Sequence, residues 1–191
     1  MASAKLRLRV VKLGGSLLDL PDLAERFRCW LAGEPAAKTV VLVGGGDMAD
    51  VIRRAFAQHA LSEEAAHWLC IRVLGVTAEL LARLLPESLL TDRWSAVDEL
   101  PADLIVLDCQ RFLKDDDCRP SPLPHTWDVT SDSIAARLAE RLAADELVLL
   151  KSVSIAPDIS PAAAATAGLV DAYFPIAAAG LPCIRFVNLR E

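Results

Sequence analysis

The strands expected at Thr39–Val43 and Leu147–Leu150 are built almost wholly from branched aliphatic residues, with none of the polar alternation of a half-exposed strand. A strand of that kind needs cover on both faces, which points to a parallel sheet beneath helices. Leu6 to Leu13 reads as a third strand, with Leu6, Leu8 and Val10 alternating before Val11 and Leu13. Between these strands the apolar period becomes helical. Leu23, Phe27, Trp30 and Leu31 follow Pro21, and Met48, Ile52, Ala55 and Phe56 follow a glycine run. Ser62, Glu63 and Glu64 open a long helix toward Leu85, with a break expected near Gly75. Ser88–Thr91, Leu104–Asp108 and Cys183–Val187 are further short strands, and Thr130–Ala144 is a helix lined by Ile134, Leu138 and Leu142. Lys114–Pro124, charged and then proline-rich, is expected as a loop, and the alanine runs at 162–167 and 177–179 as helical turns. Alternating helices and buried strands predict an α/β protein with a mainly parallel sheet.

Composition bounds the function. Twenty basic against twenty-six acidic residues leave a net charge of −6, which argues against an electrostatic nucleic-acid binder. With 53% apolar residues in 191, residues 1–191 are expected to fold around a core as a single domain. No apolar run approaches the roughly 20 residues that span a bilayer. The first ten residues alternate basic and apolar types, unlike a signal peptide. A cytoplasmic protein with neither nucleic-acid nor membrane partners is expected. The five cysteines form no C-x-x-C pair and read as reduced, mostly buried residues, Cys118 being the one expected at the surface.

Four features carry chemistry. Lys12 ends a strand just before Gly14, Gly15 and Ser16, where glycine amides can form an anion-binding concavity beside a mobile charge. Gly44, Gly45 and Gly46 end a second strand and open a helix, a ready phosphate site. Gly44, Gly46 and Ala49 satisfy a G-x-G-x-x-A string, but the next strand brings no acid to complete a dinucleotide fingerprint. No G-x-x-x-x-G-K-[ST] string occurs. Asp128, Thr130, Ser131 and Asp132 start a helix with more acid than capping requires, following His125 and Trp127. Lys151 ends the strand Leu147–Leu150. Strand C-terminal ends face the ligand crevice of an open parallel sheet, so both lysines and the glycine loops are expected to converge there. Two anion loops and two lysines suit phosphoryl transfer, which asks mainly for positioning and positive charge. His59, on the apolar face of a helix, and His67, within an apolar run, read as structural.

These strings resemble the amino acid kinase superfamily: V-x-K-x-G-G-S at Val10–Ser16, V-G-G-G at Val43–Gly46, T-S-D at Thr130–Asp132, and the strand ending in Lys151. The resemblance implies a three-layer αβα sandwich, with the acceptor on the N-terminal half and ATP with Mg²⁺ over the C-terminal half. It implies catalytic roles for Lys12, Asp132 and Lys151, with Asp132 orienting the lysines, and phosphate or ATP contacts from Gly14, Gly15, Ser16, Thr130 and Ser131. No metal-ligand set is expected, magnesium riding on the ATP phosphates. Within the superfamily, G-G-G-D-M-A-D-V-I-R and H-T-W-D-V-T-S-D-S look most like the kinases that phosphorylate 5-(aminomethyl)-3-furanmethanol phosphate in methanofuran biosynthesis. The implied acceptor then carries a phosphate and an ammonium. It would be held by Gly44, Gly45, Gly46, Asp47, Asp50, Arg53, His125, Trp127 and Asp128. A homo-oligomer, dimer or higher, is also expected. The chain departs from the family at residues 152–157, which lack the usual V-D-G-V-Y string, so the nucleotide segment is shortened. A non-catalytic nucleotide- or oxyanion-binding protein on the same fold is the alternative reading.

Overall fold

The computed structural model describes residues 6–191. Its sheet has six strands, all parallel, in the order β3-β4-β2-β1-β5-β6. They are β1 (Arg7–Leu13), β2 (Ala37–Val43), β3 (Leu89–Thr91), β4 (Leu104–Leu107), β5 (Glu146–Lys151) and β6 (Ile184–Asn188). The helices are α1 (Leu23–Ala32), α2 (Gly46–His59), α3 (Glu63–Leu84), α4 (Gln110–Asp117), α5 (Ser131–Arg141), α6 (Pro161–Thr166) and α7 (Phe174–Ala177).

The unbroken aliphatic runs become the inner strands because both of their faces are covered. Val10, Val40, Leu42, Leu147 and Leu149 lie on the side packed by α5, in one buried cluster. Val11, Leu13, Val41, Val43, Val148 and Leu150 lie on the other, against Leu23 and Phe27 of α1 and Ala78 and Leu81 of α3. The result is the expected three-layer α/β arrangement. After β1 the chain turns toward β2 on one side, and it returns to β5 on the other. The C-terminal ends of β2, β1 and β5 therefore flank the point where the strand order reverses, the usual place for a ligand crevice.

Several local expectations need correcting. The long helix does not break near Gly75; α3 runs through it. The missing side chain there makes room for the turn from β4 into α4, since a Cβ on Gly75 would lie 2.8 Å from Gln110 Nε2. The charged stretch from Lys114 is not wholly loop, because Lys114–Asp117 form the last turn of α4. That turn is held by buried Asp116, which accepts from the Leu123 amide at 3.0 Å. His59 is exposed and not on an apolar face. Trp94–Glu99 form a 3-10 turn with no clear local signal, anchored by the Trp94 indole donating to Asp115 at 2.8 Å. Of the cysteines only Cys109 is buried, while both Cys29 and Cys118 are exposed. At 22 residues, α3 is also the one helix among the described residues long and apolar enough to cross a bilayer. Its Ala66, Ile71, Leu74, Ala78 and Leu81 are nonetheless buried within the protein.

Candidate active site

Lys12 lies near the end of β1 and Lys151 is the last residue of β5. The ladder pairs Lys12 with Leu149, and residues two apart share a face, so both lysines project from the side covered by α5. They meet on Asp132 in the first turn of that helix. Lys12 Nζ lies 2.9 Å from Asp132 Oδ1, and Lys151 Nζ donates to Oδ2 at 2.8 Å. All three are largely withdrawn from water: Lys12 is 6% exposed and Asp132 5%. Burial alone would raise the Asp132 pKa, but the Lys12 and Lys151 ammonium groups override it and hold the carboxyl below its ordinary range. Burial, together with the charge of Lys12, pushes the Lys151 pKa down against the pull of Asp132. Two ammonium groups thus share one carboxylate, with the charge of Asp171 acting on Lys151 as a weaker, second counter-charge.

The glycine loops nest against each other. Gly14 donates to the Leu150 carbonyl at 2.9 Å, and Gly44 to the Leu13 carbonyl at 2.8 Å. A Cβ on Gly15 would fall 2.1 Å from Gly46 N, and one on Gly44 would fall 2.7 Å from Gly15 N. Gly46 also has φ +54°, which favours glycine. Backbone thus packs directly on backbone, and a side chain on either loop would drive the two apart. Ser16 joins the loop after β1 to the loop after β5 through a 3.0 Å contact with Ser152 Oγ.

Asp171 is a residue of the site that sequence reasoning missed. Its Oδ2 accepts from Thr130 N at 2.9 Å, Thr130 Oγ1 at 2.8 Å and Ser133 N at 3.0 Å, and its Oδ1 accepts from Ser133 Oγ. The expected cap, Thr130, is only a long 3.5 Å acceptor for the Asp132 amide. A carboxylate from a distant loop therefore anchors the helix that carries Asp132, and no local spacing announces it.

Beside the Gly44–Gly46 loop lies a solvent-open pocket between α2, α3 and the start of α5, lined among others by Gly45, Arg53, His67, Trp127, Thr130 and Ser131. The Arg53 guanidinium sits 5.0 Å from the centre of the Trp127 ring, which also packs edge-on against Phe56. Of the other expected acceptor contacts, Asp50 forms an exposed ion pair with Arg53 at 3.0 Å, while Asp47 and Asp128 are exposed outside the pocket wall. The Asp128 carbonyl accepts from the Tyr173 amide. His125 stands behind the wall, between Glu64 and Asp117. His67, read as structural, is buried as expected but lines the pocket.

The amino acid kinase family model matches residues 7–155, from the first strand through Lys151. The chain belongs to the amino acid kinase family. It is 26% identical over 148 residues to the [5-(aminomethyl)furan-3-yl]methyl phosphate kinase of Methanocaldococcus jannaschii, covering 76% of this chain and 66% of that one. The chain thus spans just under two thirds of that relative's length. Its fold is shared with the uridylate kinase of Archaeoglobus fulgidus, at TM-score 0.57 and 21% identity over 80% of this chain and 67% of that one. It is shared too with the aspartate kinase of Synechocystis, at TM-score 0.66 and 18% identity over 94% of this chain and 37% of that one. Within this amino acid kinase fold the lysines, Asp132 and both glycine loops meet at the C-terminal edge of the sheet.

Proposed function

We propose that the protein transfers the γ-phosphoryl group of ATP to a small acceptor that already carries a phosphate and an ammonium, of the 5-(aminomethyl)-3-furanmethanol phosphate class. One observation carries the reading: Asp132 gathers Lys12 and Lys151, at 2.9 and 2.8 Å, beside two glycine loops that leave no room for side chains. Two ammonium groups share a single directly paired carboxylate, so an anion in the crevice adds a favourable counter-charge. The residues fit the nucleotide phosphates: Lys12, Gly14, Gly15 and Ser16 on one side, and Lys151 and Ser131 on the other, Thr130 having both its donors engaged by Asp171. The nearby carboxylates Asp132 and Asp171 are already engaged, by the lysines and by the start of α5. Magnesium is accordingly expected on the ATP phosphates, where it would neutralise charge.

In this mechanism Lys12 stabilises charge on the moving phosphoryl group and Lys151 balances charge on the leaving side. Asp132 keeps both ammonium groups from turning away. The Gly44–Gly46 loop at the start of α2, with Arg53, takes the acceptor phosphate, and the face of Trp127 takes its flat ring. The likeness to the Methanocaldococcus jannaschii kinase supports this acceptor class, as does a pocket lined by Trp127, Arg53 and Gly45 of the glycine loop.

The test is turnover of Mg-ATP with four acceptors: the aminomethylfuran phosphate, uridine monophosphate, isopentenyl phosphate and acetylglutamate. The first should be preferred strongly, because a site built for both charged groups leaves polar partners unpaired with the others. Preference for uridine monophosphate would overturn the acceptor class and keep the kinase. Tight nucleotide or oxyanion binding without turnover of any acceptor would favour the non-catalytic alternative.

A further inference from the structure

We propose that His67 is a specificity-determining residue of the acceptor pocket, whose imidazole accepts a hydrogen bond from a donor group on the acceptor. The inference rests on reading this pocket as the acceptor site, and it adds a contact that the glycine loop and Arg53 do not supply.

Three observations combine. First, His67 of α3 lines the same pocket as Arg53, Trp127 and Gly45 of the glycine loop. Second, it is 9% exposed, and its Nε2 is closed off from solvent without a hydrogen-bond partner, so a ligand donor meets it once the side chain shifts toward the pocket. A buried ring nitrogen left unpaired costs free energy in the empty protein, and a bound donor would recover that cost. Third, the protein controls which imidazole carries charge. His67 stacks on His125 at 4.1 Å, with the ring planes 13° apart. His125 has a carboxylate at each nitrogen: Glu64 of α3 lies 2.5 Å from Nδ1, and Asp117 of α4 lies 2.9 Å from Nε2. Facing carboxylates on both sides, the ring donates twice, as an imidazolium does.

A second cation stacked directly on it is disfavoured, so His67 stays neutral and keeps a lone pair. Burial, followed by the charge of His125, lowers the His67 pKa to about 4, outweighing the opposite pull of Asp117 and Glu64. Burial acts downward on His125 too, but its hydrogen bonds to Glu64 and Asp117 prevail and raise its pKa. Charge is thereby parked behind the wall and an uncharged acceptor is presented in front of it. His125 is a positioning residue, and His67 is the one that touches ligand. An ammonium, an amide N–H or a hydroxyl suits the lone pair of the neutral imidazole.

The experiment measures binding without nucleotide by isothermal titration, comparing the aminomethylfuran phosphate with its analogue bearing methyl in place of aminomethyl. Uridine monophosphate, which carries a ring N–H, and isopentenyl phosphate, which carries no donor beyond its phosphate, form a second pair. His67→Phe should weaken the donor-bearing member of whichever pair the wild type binds by about tenfold or more, the scale of one buried hydrogen bond. The donor-free member should bind as before. His67→Gln, which retains a hydrogen-bonding side chain, should recover part of the difference, and ATP affinity should hold in both variants as the check on folding. Unchanged discrimination in His67→Phe overturns the proposal. Equal loss for both members, with no recovery in His67→Gln, assigns His67 to packing and overturns it as well. If uridine monophosphate binds and the furan does not, the acceptor class falls while His67 is still decided on the second pair. If none of the four binds, the acceptor-site reading and this proposal fall together.

Discussion

Asp132, Lys12 and Lys151 are each costly to bury alone and tolerable only together, so substitutions at the three positions should differ in kind. Lys12→Met removes one preorganised donor and should lower turnover by roughly 10²–10³ with little change in melting temperature. Calorimetry beside a steady-state assay checks both halves of that expectation. For Lys151 the direction of its pKa matters: its charged form is lost at a lower pH than the 10.5 of an ordinary lysine. Turnover should therefore fall on an alkaline limb below that value, and Lys151→Arg should move the limb upward if arginine supports activity, because guanidinium keeps its proton. Asp132→Asn leaves two buried ammonium groups without a counter-charge and should lower both turnover and stability. Since the folded pKa of Asp132 is depressed, its stabilising contribution is complete above the unfolded value of 3.8 and fades as pH falls toward the folded one. Denaturant melts of wild type and Asp132→Asn should accordingly converge in acid; a gap that stays constant with pH would contradict the linkage.

The start of α5 depends on Asp171 for two of its backbone amides and two hydroxyls. Asp171→Ala should cost about 1–2 kcal/mol of stability, the upper part of the range for a lost N-cap, read as a lower urea midpoint. It should cost turnover too, since α5 carries Asp132 toward the lysines. A variant that loses stability but keeps full turnover would show that α5 holds its place without this carboxylate. The nested loops after β1 and β2 make a different demand. Gly15→Ala would force a methyl group to within 2.1 Å of Gly46 N, where backbone, not a flexible side chain, stands in the way.

The two ends of the sheet divide stability from chemistry. Opposite the crevice, at the entry to β1, Arg9 is 1% exposed and pairs with Glu146 at 2.7 Å and Glu34 at 3.5 Å. Arg185 on β6 closes the group, at 2.7 Å from Glu34 and 3.3 Å from Glu146. Arg9→Met leaves buried Glu146 with its main counter-charge gone and should cost about 3–5 kcal/mol, measured by chemical denaturation. Activity per folded molecule should stay close to wild type, since Arg9 lies at the far end of the strand from the crevice. Joint replacement of Arg9 and Glu146 by apolar residues should be milder than Arg9→Met alone, because no charge is then stranded.

Much of the architecture was legible because its signals are local. Unbroken aliphatic runs mark Val40–Val43 and Leu147–Leu150 as doubly covered strands, and glycines directly after a strand mark the anion loops. Lysines at strand ends point to the crevice wherever the sheet is parallel. Local signals failed where a neighbour from elsewhere decided the outcome. Gly75 looks like a helix break until Gln110 and Asp108 occupy the space beside it. Thr130 looks like a sufficient cap until Asp171 arrives from another loop. His67 and His125 look unrelated until α3 and the loop before α5 stack them at 4.1 Å. By itself the sequence determined which segments are strand, which turns are glycine-bound and which end of the sheet carries the two lysines, because each follows from neighbours within a few positions. Only the tertiary structure decided that Lys12 and Lys151 share one carboxylate and that His67 faces a pocket, since strand order and helix crossing set those distances and no spacing along the chain encodes them.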